Sequence, residues 1–160
     1  MKKILFGTLV ISLIFSCNHN KVEFNRELAI IELNAVMDNW HLAAAIADEK
    51  TFFNTMDKNA VYLGTDPAER WFKHEFEDWA MPFFNRDTAW AFKSYNRYWE
   101  FSKSGEIAWF DELLETHMGI CRGSGVLQKF DDGWKIKQYN LALTLENEKM
   151  NEFRVLQGLR

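Results

Sequence analysis

Five polar side chains in this chain have the chemistry to hold a ligand or move a proton. They are Tyr62 in "AVYLGT", Glu112 in "AWFDELL", Arg122 in "CRGSGVL", and Gln138 and Asn140 in "KIKQYNL". A carboxylate set among apolar neighbours such as Phe110 and Leu114 resists ionising and can then serve as a general base. That is the catalytic reading of Glu112. Arg122 carries a planar, two-pronged donor that suits a carboxylate or a phosphate. The amides of Gln138 and Asn140 donate and accept hydrogen bonds, but they are not bases at neutral pH and are poor zinc ligands. Tyr62 offers a hydroxyl, and Trp134 offers an apolar wall. Plainer readings stand beside these: Arg122 and Glu112 as a structural ion pair, and Tyr62 as a packed aromatic.

These residues fall in segments that alternate with a period of two, so each segment sorts them onto faces. In 134–142 one face holds Trp134, Ile136, Gln138, Asn140 and Ala142, and the other starts with Lys135 and Lys137. The lysines mark the outer face, which turns both amides inward. In 106–114, Ala108, Phe110, Glu112 and Leu114 share a face. If Val126 points inward, Arg122 and Ser124 do too, and Gly123 and Gly125 lie outside, where a neighbouring backbone can approach closely. Each face of 106–114 holds one acid, since Ile107, Trp109, Asp111 and Leu113 form the other; with the Glu112 face and Val126 inward, the alternation gathers Arg122, Glu112, Gln138 and Asn140 inside one sheet.

Four long strand-like segments, 89–103, 106–116, 120–130 and 134–145, are separated by turn residues at Ser104-Gly105, His117-Met118-Gly119 and Asp131-Asp132-Gly133. Helical spacing dominates before them. Leu28, Ile31, Ala35, Met37 and Leu42 recur at near 3.6 residues over 23–48. A short helix follows over 48–60, and "AVYLGT" is a strand. Asp66-Pro67 with Glu69 predicts a helix start, the carboxylate acting as N-cap, with Phe72, Phe76 and Trp79 buried and Pro82 ending or kinking the helix. A last helix is expected over 147–157. Helices first and hairpin strands after define an α+β domain with an antiparallel sheet.

The 160 residues suit one domain, and 48 % apolar content is far from a disordered composition. The net charge of −4, with no lysine- or arginine-rich run, argues against nucleic-acid binding. His19, His41, His74 and His117 show no metal-ligand spacing, and no glycine-rich phosphate loop opens a helix, so neither a metal nor a cofactor is expected. The start, "MKKILFGTLVISLIFSC", has two lysines, an uncharged run from Ile4 to Phe15 and a small residue before Cys17. That is the layout of a secretory signal peptide over residues 1–16, too short to span a bilayer. The tetrad Ile14-Phe15-Ser16-Cys17 resembles a bacterial lipobox, which implies cleavage before Cys17 and its acylation. An ordinary signal peptide is the alternative. Residues 17–23 are then a lipidated tether and 24–160 the domain, held to a membrane in the cell envelope. Cys121 is left without a partner and reads as a small buried hydrophobe.

The stretches "AVYLGTDPAERW", "AWFDELL" and "CRGSGVLQKFDDGWKIKQYNLAL" resemble the SnoaL-like part of the NTF2-like (cystatin-like) superfamily over about 24–150. The resemblance implies a cone: a curved antiparallel sheet whose concave face holds the N-terminal helices and leaves an open pocket. It also implies homodimers through the outer sheet face. Relatives often carry histidine where Gln138 or Asn140 stands. Members isomerise, cyclise, dehydrate or only bind, so three functions are carried forward. One is a membrane-anchored small-molecule binder with Arg122, Gln138, Asn140, Tyr62 and Trp134 around the ligand. The second is an isomerase, cyclase or dehydratase using Glu112. The third is an interaction module with a filled cone.

Overall fold

The computed structural model describes residues 23–159, so the expected signal peptide and Cys17 lie outside the described residues. Helix α1 spans Arg26–Ala45 and α2 spans Glu49–Thr55. Each is opened by a side chain that satisfies a free backbone N–H: Asn25 accepts from Leu28 N at 3.0 Å and Asp48 from Thr51 N at 3.0 Å. Strands β1 (Met56–Leu63) and β2 (Arg70–Phe72) form a hairpin, followed by α3 (Lys73–Phe84). The long strands are β3 (Lys93–Phe101), β4 (Ile107–Thr116), β5 (Gly119–Phe130) and β6 (Gly133–Leu143). A short helix α4, Met150–Leu156, closes the chain.

The six strands make one open, curved sheet in the order β2-β1-β6-β5-β4-β3. Its pairings are antiparallel except β1 with β6, which is parallel; β2, α3 and the β3–β5 meander lie between these two strands in the chain. The expected cone is present: α1 to α3 pack against the concave face around a core that includes Trp40, Phe52, Phe76, Tyr139 and Leu127.

Three local expectations are corrected. Asp66-Pro67 does not start a helix. Asp66 Oδ1 accepts from Ala68 N at 2.8 Å and its carbonyl from Glu69 N at 2.9 Å, which closes a turn between β1 and β2. The helix begins seven residues later, where the Glu75 carboxylate accepts the Phe72 N–H at 2.8 Å, and it runs two residues past Pro82. Phe72 and Trp79 stay largely exposed, while Phe76, Ala80 and Phe84 are buried. Second, α1 is apolar on two faces. It buries Leu33, Met37, Trp40 and Ala44, leaving the expected Leu28, Ile31 and Leu42 exposed, because the face with Trp40 and His41 reaches the sheet's interior partners.

The third correction changes the site. Between Val126↔Gln138 and Leu127↔Ile136 the β5–β6 register shifts, leaving Lys137 as an extra residue. Such a bulge flips the alternation. Trp134 and Ile136 face in as expected, but beyond the bulge Tyr139 and Leu141 face in, while Gln138 is exposed and Asn140 half-buried on the other side. On β5 the inward set is Cys121, Gly123, Gly125 and Leu127, so Arg122 and Val126 point outward. The glycines do serve close approach, but from inside. A Cβ on Gly125 would lie 2.6 Å from the Gln138 carbonyl oxygen and 2.8 Å from Phe110. Gly125→Ala is therefore expected to lower stability by about 2 kcal/mol, since backbone cannot step aside as a flexible side chain does. Chemical denaturation measures this, and an unchanged midpoint would contradict the packing described.

Candidate functional site

Of the two acids that alternate on β4, Asp111 and Glu112, it is Glu112 that faces inward, and it is fully buried. Its partners differ from those expected. Arg122 lies on the outer face, half-exposed, paired with Asp111 at 3.2 Å. The guanidinium that meets Glu112 is Arg97, whose Nε donates to Oε2 at 2.8 Å. His41 Nε2 donates to Oε1 at 2.7 Å, and the Tyr139 hydroxyl approaches the same oxygen at 3.4 Å. Arg97 also donates to Asp38, Asn34 and Ser94 at 2.8, 3.2 and 3.0 Å. Burial alone would raise the Glu112 pKa; the hydrogen bond and charge of His41, together with Arg97, outweigh it and hold the carboxyl below its usual range.

A second bulge lies beside Arg97. In β3, Tyr95 pairs with Leu113 and Tyr98 with Asp111, so Asn96 and Arg97 together oppose the single Glu112. Asn96 takes the left-handed conformation at φ 51°, which asparagine tolerates better than most residues. Arg97, two residues before the buried Trp99, faces inward with it, and the extra residue Asn96 brings Ser94 onto the same face. Across the sheet Gly123 pairs with Glu112, and its missing Cβ leaves the space occupied by the Tyr139 hydroxyl and the Glu112 side chain.

This charged cluster does not open into the cavity. A pocket of about 220 Å³ lies on the other side of the Tyr62 and Tyr139 rings, which stack with centroids 5.8 Å apart. Helix α3 contributes Phe76, Trp79 and Phe83, spaced three and four residues apart on one face. Tyr62 and Trp71 come from the β1–β2 hairpin, and Trp90 from the segment leading into β3. Tyr62 lies on Phe76 at 3.9 Å between centroids, and Trp71 on Trp79 at 4.8 Å. The polar lining is sparse: Thr65 and Glu69 from the β1–β2 turn, and His117 from the β4–β5 turn. Burial first, and then the Glu69 charge, push the Tyr62 hydroxyl pKa upward, so it stays protonated.

Of the residues chosen from sequence, only Tyr62 lines this pocket. Trp134 is buried at the far end of β6, donating to Glu32 at 3.2 Å under the Lys129 ammonium. Sequence reasoning missed Arg97, His41 and Tyr139. Alternation back from Trp99 was the local signal for an inward Arg97, and Asn96, an αL-tolerant residue within a strand pattern, was the signal for the bulge beside it. The aromatic wall was visible as composition but not as a site.

An open, curved sheet closed over helices, with a pocket at one mouth of the cone, defines an α+β protein of the NTF2-like, cystatin-like class. Within that class the chain belongs to the SnoaL-like domain family, whose profile matches residues 33–146. Solved structures agree on the fold. A domain of unknown function with a cystatin-like fold from Nostoc punctiforme superposes with a TM-score of 0.69 at 12 % identity, over 85 % of this chain and 90 % of that one. An NTF2-like protein of unknown function from Pseudomonas putida gives 0.63 at 11 % identity, over 77 % and 92 %. One from Shewanella oneidensis gives 0.60 at 9 %, over 71 % and 98 %. No curated protein matches the chain's sequence.

Proposed function

We propose that this protein is a small-molecule-binding module of the cell envelope, tethered to a membrane through acylated Cys17, whose aromatic pocket takes a small, largely apolar ligand. The observation that carries this is the pocket itself: concave, open, aromatic-walled and sparsely polar, which is the usual make-up of a small-molecule site. The carboxylate that would have to act as base in an enzyme has both oxygens engaged by donors and lies outside the pocket wall, which supports binding over proton transfer. A second copy pairing through the outer sheet face, where Tyr98 and Trp109 stand exposed, fits the same reading.

Titration with the neutral fluorophore N-phenyl-1-naphthylamine tests the pocket. Saturable one-to-one binding is expected, weakened at least fivefold by Trp79→Ala, since Trp79 forms an exposed part of the wall. Non-saturable binding, or a Trp79→Ala variant that binds as well as the parent, would reject the site. For the tether, the mature protein is expected in the detergent phase on phase separation, and Cys17→Ala in the aqueous phase. Equal partitioning of the two would reject acylation.

A further inference from the structure

The sequence pointed to an acidic ligand held by Arg122, but Arg122 is on the outer face and the pocket has the opposite electrostatics. Among the described residues its wall contains no lysine and no arginine. It contains three tryptophans, Trp71, Trp79 and Trp90, with Phe76 and Phe83, and one full negative charge, Glu69. The negative faces of such rings attract organic cations, tryptophan most strongly. A cation already rests on this wall from outside: the Arg86 guanidinium lies 4.7 Å from the centroid of Phe83.

Glu69 is placed and left uncommitted. Its Oε2 accepts from the Asp66 backbone N–H at 3.1 Å, which fixes the side chain over Gly64. A Cβ at Gly64 would collide with that carboxylate, so glycine makes the position possible. None of the ion pairs among the described residues involves Glu69. Its charge is nevertheless felt inside the pocket, at the Tyr62 hydroxyl.

We infer that the pocket selects an organic ammonium ion, the cation resting against the tryptophan faces with Glu69 as its counter-charge. This rests on the pocket being a ligand site and narrows the ligand to a cationic class. Three probes of nearly one shape isolate the charge: choline, its neutral isostere 3,3-dimethylbutan-1-ol, and the anion 3,3-dimethylbutanoate. Calorimetric titration of the purified chain should show choline binding about tenfold tighter than the alcohol, with the anion weakest. Glu69→Gln should remove most of choline's advantage and leave the alcohol unchanged. Trp79→Ala should weaken choline and alcohol together. Alcohol or anion binding as tightly as choline overturns the inference, as does an undiminished preference in Glu69→Gln. A chain that binds the naphthylamine but none of the three probes also overturns it and leaves the pocket standing. Failure to bind the naphthylamine overturns the pocket reading itself.

Discussion

Arg97→Met is expected to destabilise the domain by about 3–5 kcal/mol at neutral pH, because it strands the Glu112 carboxylate in the core. Glu112 is fully buried, and two of the three donors reaching it, His41 and Tyr139, share one of its oxygens. Removing Arg97 leaves Oε2 without its donor. The double variant Arg97→Met with Glu112→Gln should recover much of the loss, since no lone charge remains. Denaturation midpoints of the single and double variants measure both effects. A loss under about 1 kcal/mol in Arg97→Met would mean that the pair is solvated and the cluster open.

The same cluster sets an acid limit. The folded-state pKa of Glu112 lies below its unfolded value, so its contribution is complete above the unfolded carboxyl range, near pH ~4.3, and is lost as pH falls through the lower folded value. Glu112→Gln should flatten the acid limb of the stability profile. A limb unchanged in this variant would show that other carboxylates govern acid unfolding.

Phe76→Ala is the second large effect, about 3–5 kcal/mol. Phe76 is fully buried and is the floor of the pocket, stacked on Tyr62 at 3.9 Å and flanked by Trp71 and Phe53, each with its ring centroid 5.7 Å away. The vacancy would open directly into the existing cavity. N-phenyl-1-naphthylamine should therefore raise the Tm of Phe76→Ala more than that of the parent, by binding the folded form alone. Equal shifts would mean that the rings collapse into the gap.

The fold class, four of the strands and the three glycine turns between them were legible in the sequence, because period-two patterning and positive-φ glycines are local signals. Gly105, Gly119 and Gly133 do take φ of 75°, 100° and 114°. One inward carboxylate on β4 was legible for the same reason, although alternation alone did not choose between Asp111 and Glu112. Its partner was not. Arg97 shares a face with Trp99, but that it opposes Glu112 is set by the β3–β4 pairing register, which alternation within one segment does not give. One bulge in β6 turned Gln138 and Asn140 outward and Tyr139 inward. The face of α1 was misassigned because both of its faces are apolar, so only tertiary contacts choose between them. The pocket combines a helix face, a hairpin and two loops, and their convergence is a property of the assembled cone.

The unpaired Lys137 has a meaning for descent as well as for geometry. Because side-chain direction alternates strictly, losing that one codon would restore simple alternation along β6. Gln138 would follow the inward Ile136 directly, so Tyr139 and Leu141 would still face the cone and Gln138 and Asn140 the outside. A three-nucleotide insertion within a strand can thus be absorbed as a bulge, leaving the interior beyond it unexchanged. Lineages that share this cone can differ in strand length while keeping what fills it, and alignments that allow no gap inside a strand will pair inner positions of one relative with outer positions of another.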